Sequence, residues 1–305
     1  MLRRFNAFAL AAICLVSGTG FHGSAAPAPA QDKPKDATKD AAPAQKDSKE
    51  QSKEQQKQTA QAPPPKNLKE PTGENVAELV VYISGLRERI AQVQRNSVER
   101  GRLSRLNEEG RTDEITYERR FVRGETSEKD KIRLDQKMPT MEYSLVYNQG
   151  RIWGVINGTP FTPRADAVAD FLTSRQHGLD TLIRYKENGA SVSYAGKEKL
   201  KNIDMWMIDL TDKEKQRTRY YVSTQKWRVL WLEYEATPTG ATKPVQYRRT
   251  FHDYRYAQGQ LIPYRTVLYA DGKQIEETNL LNVTFGVRMD DSIFNGNERT
   301  AEAQP

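Results

Sequence analysis

Three histidines, one cysteine and a few adjacent acidic residues are the groups through which this 305-residue chain could do chemistry. His252 and Asp253 are neighbours, as two members of a catalytic triad could be in space. In a strand, however, consecutive side chains point to opposite faces, so the pair cannot converge on one substrate. No two histidines share the spacing that presents both on one helical face to zinc, and no second cysteine exists to serve as a ligand. No Gly-x-Ser-x-Gly elbow is present to raise a serine nucleophile. Asp290-Asp291 follows the final apolar segment, where aspartates usually serve turn chemistry. His177 stands alone. The residues therefore predict no enzyme, no metal site and no cofactor, and they point to binding.

The ends of the chain say where that binding would take place. Arg3 and Arg4 precede an apolar run from Phe5 to Val16, and small residues follow around Gly23, Ser24, Ala25 and Ala26. That layout predicts a secretory signal peptide over 1–26. The run is shorter than the roughly 20 residues a bilayer-spanning helix needs, although an uncleaved N-terminal anchor stays open as the alternative. The only cysteine, Cys14, lies inside this run, so the mature chain would carry no thiol. Ile13 before it and apolar residues after it argue against lipidation. A thiol-free exported chain suits an oxidising compartment, and the bacterial periplasm is the natural one. Residues 27–71 hold Ala, Gln, Lys, Asp and Pro with almost no large apolar side chain, as in Lys49-Glu-Gln-Ser-Lys-Glu-Gln-Gln-Lys57. Such a segment cannot bury enough surface to offset chain entropy, so a disordered linker is expected there, and a disordered tail over 298–305. Residues 72–297 contain the aromatic and β-branched residues of one domain. The formal net charge of +7 would fit nucleic acid in a cytosolic protein. Export and the scatter of basic residues exclude that partner, leaving an anionic membrane surface or an acidic partner as compatible with the charge.

Two helices must help to position whatever binds. The first starts near Thr72 and aligns Val76, Leu79, Val80, Ile83, Leu86, Ile90 and Val93 on one face. The second starts at Thr162-Pro163 and presents Ala165, Val168, Phe171 and Leu172, with a resumption at Leu179, Leu182 and Ile183 after His177-Gly178. Strands are predicted over 115–123, 131–136, 141–147, 151–156, 205–210, 219–223, 228–235, 247–256, 262–269 and 275–285. Asn148-Gln149-Gly150 and Asp271-Gly272 are hairpin signals, because their residues tolerate positive φ. Short strands so closely spaced predict an antiparallel meander, hence a mainly β, α+β fold.

Alternation within these strands singles out faces of large apolar residues. Tyr143, Leu145 and Tyr147 form one. Trp206 and Ile208, continued by Leu210, form another. Val229 and Trp231, followed by Glu233, form a third. Two readings stand side by side: these residues fill a core between sheet and helices, or a curved sheet leaves them lining a cavity for a hydrophobic ligand.

The C-terminal half carries a resemblance. Phe251-His-Asp-Tyr-Arg255 leads through Gly259 to Leu261-Ile-Pro-Tyr264, then to Asp271-Gly-Lys273, Phe285 and Asp290-Asp-Ser-Ile-Phe294. Gly196-Lys-Glu-Lys-Leu200, the strand with Trp206, and Tyr220-Tyr-Val-Ser-Thr-Gln-Lys-Trp227 precede it. From about Ser191 to Phe294 this order resembles the bacterial outer-membrane lipoprotein-sorting proteins, the LolA/LolB-like half-barrels. The resemblance implies a strongly curved, unclosed antiparallel β-barrel with helices covering its concave face. It also implies a periplasmic, non-catalytic carrier that holds lipid acyl chains or lipoproteins there, with peripheral membrane contact. The alternative is an envelope protein-interaction or stress-sensing module, with a filled core and a protein partner.

Overall fold

The computed structural model describes residues 71–107, 109–138, 141–157 and 159–295. The expected signal peptide (1–26), linker (27–71) and tail (298–305) lie outside the described residues, except for Pro71. Thirteen strands form one sheet. They are β1 (Asn96–Leu106), β2 (Thr112–Val122), β3 (Lys131–Lys137), β4 (Glu142–Asn148), β5 (Arg151–Ile156), β6 (Thr159–Phe161), β7 (Ser191–Leu200), β8 (Ile203–Thr211), β9 (Arg217–Ser223), β10 (Val229–Ala236), β11 (Val245–Ala257), β12 (Gln260–Ala270) and β13 (Lys273–Phe285). Their spatial order is β6-β5-β4-β3-β2-β1-β13-β12-β11-β10-β9-β8-β7. Two antiparallel meanders are therefore joined where the first strand pairs with the last, with Ser97 opposite Phe285 and Leu103 opposite Thr278.

Local chemistry sets the hairpins. Gln149-Gly150 and Asp271-Gly272 both take positive φ at each position, 51° and 81° and then 47° and 79°, as two-residue hairpin turns require. The two edge strands do not pair with each other, so the sheet stays open. Each is blunted against adding a further strand. β6 is three residues long and contains Pro160. β7 carries a bulge at Gly196 (φ 125°) and the exposed Lys197 and Lys199.

Among the described residues four α-helices accompany the sheet: α1 (Gly73–Ser84), α2 (Arg87–Val93), α3 (Ala165–Gln176) and α4 (Leu179–Ile183). Thr72 caps α1 by accepting from the Asn75 N–H at 3.2 Å. The single long helix expected over 72–93 is broken. Gly85 (φ 134°) and Leu86 (φ 67°) take left-handed backbone, which ends α1 and restarts the chain as α2. Gly85 suits that position, because its φ of 134° is a conformation that residues with a Cβ rarely adopt. The second helix also begins later than Thr162-Pro163 suggests. Arg164 is still extended (ψ 147°), and the Asp166 carboxylate accepts from Ala167 N–H in the first turn. Strands β1, β6 and β7 were not anticipated from the pattern, since each shows little apolar alternation.

α1 lies against β7, β8 and β12 and buries Val76, Ala77, Leu79 and Val80. With Leu182 of α4 and Tyr185 they meet Ile208, Leu210, Tyr220, Val222, Leu232, Tyr234 and Phe251 of the sheet. The approach is closest at Gly73, where a Cβ would meet the Ser193 backbone at 2.5–2.8 Å. Backbone cannot swing aside as a side chain can. Gly73→Ala is therefore expected to lift α1 from β7 and cost about 1–3 kcal/mol, read as a lower urea midpoint with an unchanged slope.

Candidate functional site: the inner face of the sheet

The face of the sheet that meets the helices is the inner face, and it has two unlike halves. Over β8–β11 it is a filled core. Trp206, Ile208 and Val229 belong to this core and are buried. Beside them a space of about 20 Å³, bounded by Val80, Leu179, Ile183 and Tyr254, has room for about one water. Trp231 is not with them. The register shifts between Val229 and Trp231, and that bulge turns Trp231 to the outer face, opposite Tyr221 and Thr250. It stacks there on Tyr221 at 4.5 Å with Arg248 over its ring. Strict alternation would have placed Val229 and Trp231 together; the extra residue parts them.

Over β1–β5 the inner face carries Tyr143, Leu145 and Tyr147 in one row, opposite Gln136, Leu134 and Ile132 of β3. Ile132 in turn faces Phe121 of β2. α3 roofs this half. Its Phe171 ring lies 6.2 Å from Tyr147, and the Arg175 guanidinium lies 4.0 Å above the same ring. Ala167 is the only buried residue of α3, and Leu172 is exposed. Side chains at its C-terminal end tie it down. Arg175 reaches the Asp130 carboxylate at 3.3 Å, and Arg249 of β11 donates to the carbonyls of Ser174 and His177 at 3.4 and 3.1 Å.

Between the two apolar halves runs a polar seam that the sequence reading missed. Arg119 Nη1 donates to both carboxylate oxygens of Glu99 at 3.1 and 3.0 Å. Arg105 donates through Nε and Nη2 to Glu276 at 3.0 and 2.7 Å. The register puts all four on the inner face with Tyr117, which packs against Gly101. The Arg119 and Arg105 side chains remain 34% and 36% exposed, so the concavity is open to water at the seam. No local signal could have revealed these pairs, because each partner is chosen by cross-strand register.

The two candidate histidines are far from converging. His177, at the end of α3, is buried and stacked on Tyr234 at 3.9 Å with 4° between planes, and its Nδ1 lies 2.6 Å from Thr218 Oγ1. Burial first, and Arg249 second, lower its pKa to about 4. His252 lies on the outer face, 2.8 Å from Thr250 Oγ1, and the Asp253 carboxylate (backbone φ 51°) is paired to Arg255. Asp290 caps a terminal 3-10 turn, Asp291–Phe294, by accepting from Ser292 N–H. Among the described residues no three His, Cys, Asp or Glu side chains gather as metal ligands.

No protein-family model matches the chain. No curated protein matches it either. Solved structures do. A DUF1329 family protein from Desulfovibrio piger superposes with a TM-score of 0.52 at 13% identity, covering 73% of this chain and 97% of that one. A LolA superfamily protein, NE2245 from Nitrosomonas europaea, superposes with a TM-score of 0.50 at 11% identity, covering 74% and 99%. The fold is LolA-like. The LolA-like sheet accordingly extends beyond the Ser191–Phe294 segment that carries the motifs, into β1–β6.

Burial of a neutral His177 is expected to make this fold acid-sensitive. A histidine whose folded pKa lies below its unfolded value contributes stability that is whole above about pH 6.5 and lost as pH falls towards 4. The lowered value corresponds to roughly 3 kcal/mol over that window. His177→Gln is expected to be less stable at pH 7 and to show a flatter loss between pH 7 and pH 4.5 in urea melts.

Proposed function

We propose that this chain is an exported, non-catalytic carrier that holds an acyl chain, of a lipid or a lipoprotein, on the inner face of β2–β5 beneath α3. In this reading residues 72–297 are the carrier domain, residues 27–71 are its spacer, and the leader over 1–26 delivers it to the periplasm. The observation that carries the proposal is the contrast between the two halves of the LolA-like sheet. One half is sealed by α1 and α4, whereas the row Tyr143, Leu145 and Tyr147 is roofed by a single helix that buries only Ala167 of its own. An acyl chain entering between α3 and this row would gain about 0.8 kcal/mol per buried methylene. Arg175 and Arg249, which hold α3 through a carboxylate and backbone carbonyls, are the contacts such entry would open. The polar seam lies beside this row and suits a ligand whose head stays wet. The histidines offer no competing chemistry, since one is sealed in the core and the other sits on the outer face.

A second reading, an envelope module with a protein partner, is favoured by one observation: the β8–β11 half is the filled core that such a module requires. The two readings part on a single measurement. Native mass spectrometry with lipid extraction is expected to find a co-purifying acyl ligand, and a fluorescent fatty acid is expected to bind the emptied protein. Leu145→Asp should weaken that binding at least tenfold, while Ile208→Val should leave it unchanged and cost only about 0.5–1.5 kcal/mol of stability. A clean mass that also refuses added lipid would sink the carrier and leave the protein-partner module.

A further inference from the structure

The antiparallel register assigns every turn of β7–β13 to one of two ends of the sheet. One end carries the β7–β8 turn, the β9–β10 turn and the β11–β12 turn. The α1–α2 break joins them there, since Gly85 meets Gln260 and Gly259 meets Arg89. The opposite end carries the β8–β9, β10–β11 and β12–β13 turns. The two ends differ in chemistry. Asp212–Gln216, Thr237–Pro244 and Asp271–Gly272 make the opposite end polar. The first end holds Leu200, Ile203, Tyr256 and Leu86, four of the seven large apolar residues exposed among the described ones.

The β7–β8 tip is the sharpest part of this end. Leu200 and Ile203 are cross-strand partners, 46% and 47% exposed, and lie side by side on the same face of the hairpin. The turn between them, Lys201-Asn202, is held by positive φ at both residues (47° and 65°), so the pair projects from a fixed tip. Three strands away Tyr256 is 57% exposed at the next protruding turn but one. Basic residues flank these side chains. Lys197, Lys199, Lys201 and Lys226 are all exposed, and none forms an ion pair among the described residues. By contrast, arginines on the strand faces are largely matched by carboxylates, as in Arg219–Asp209, Arg248–Glu233 and Arg265–Glu277.

An apolar tip with four unpaired lysines beside it, against the acidic Asp204 and Glu198 on the same hairpin, matches the layered chemistry of a bilayer surface. Aliphatic groups enter the acyl boundary while ammonium groups stay at the level of anionic headgroups. A protein partner reached by strand addition is disfavoured at this edge by the Gly196 bulge and the same lysines. We propose that this end of the sheet, led by Leu200 and Ile203, is a peripheral docking surface for an anionic phospholipid bilayer. It orients the molecule with the β7–β8, β9–β10 and β11–β12 turns towards the lipid. The surface is separate from the row beneath α3 and stands whether or not an acyl chain binds there.

Flotation of the full chain with vesicles tests it, wild type and variants side by side, so that whatever residues 1–70 contribute is common to all. Wild type is expected to float with phosphatidylglycerol-containing vesicles and more weakly with pure phosphatidylcholine. Leu200→Asp with Ile203→Asp should lower the partition coefficient at least tenfold on the anionic vesicles, with an unchanged thermal melt. Leu200→Met with Ile203→Leu should keep wild-type partition. Neutralising Lys197, Lys199 and Lys201 to Gln should cost about fivefold per lysine on anionic vesicles and little on phosphatidylcholine. Thr237→Asp with Thr239→Asp, at the opposite end, should change nothing. Wild-type flotation by the Leu200/Ile203 aspartate variant, or an equal loss in the Thr237/Thr239 variant, would overturn the proposal.

Discussion

A right-handed twist accumulates along any antiparallel sheet, and over 13 strands it must curl the sheet rather than leave it flat. Here the curl does not close: β6 and β7 do not pair with each other, and among the described residues no second sheet packs on the first. The inner face therefore has to be hidden from water by four helices, of which α2 and α4 are only seven and five residues long. Most other features answer to that shortage of cover. α1 is pressed so close to β7 that only glycine fits at position 73. Tyr220, Tyr234 and Phe251 supply the bulk that a second sheet would otherwise have supplied.

A buried ionic knot fastens the cover of one half to the strands of the other. Arg184, immediately after α4, is fully buried and donates from Nη1 to both oxygens of Asp130 at 3.0 and 2.9 Å, and from Nη2 to the Gly124 carbonyl at 3.0 Å. Asp130 also accepts from Gly124 N–H at 2.8 Å and meets Arg175 of α3. Burial raises its pKa, and Arg184 opposes that rise. Charges taken this far from water are costly unless geometry and hydrogen bonds compensate fully, so such a knot is selective rather than merely cohesive. It links the β2–β3 loop, α3 and the residue that follows α4. Glu187 extends it by accepting from Arg184 Nε and from Arg123, both at 3.0 Å. α3 is thereby tethered at its C-terminal end while most of its length stays lightly packed.

How much of this was legible depended on whether a feature is local. The turns at Gln149-Gly150 and Asp271-Gly272, the start of the first helix at Thr72 and the turn at Asp290-Asp291 are decided by residues within a few positions, and each stands where the sequence puts it. Tyr143, Leu145 and Tyr147 share the inner face because β4 is regular. β1 was invisible because its inner row is Ser97, Glu99, Gly101, Leu103 and Arg105, in which apolar alternation is replaced by cross-strand charge pairing. Trp231 was misplaced for a related reason. A bulge costs no recognisable residue type, yet one extra residue exchanges the faces of everything after it.

The seam also bears on which kind of work the inner face can do. A catalytic constellation needs polar groups with free valences aimed at one point. Glu99 with Arg119 and Glu276 with Arg105 instead face each other along adjacent strands and compensate one another. A seam of matched charges, its arginines about one-third exposed, interrupts the apolar inner face between the two halves. The apolar row of β4 lies on one side of it and the sealed β8–β11 core on the other. The open sheet thus has a boundary between a half packed under α1 and α4 and a half covered by the more lightly packed α3. That division follows from the register of β1 with β2 and β13, because moving it by one residue would send both ion pairs to the outer face.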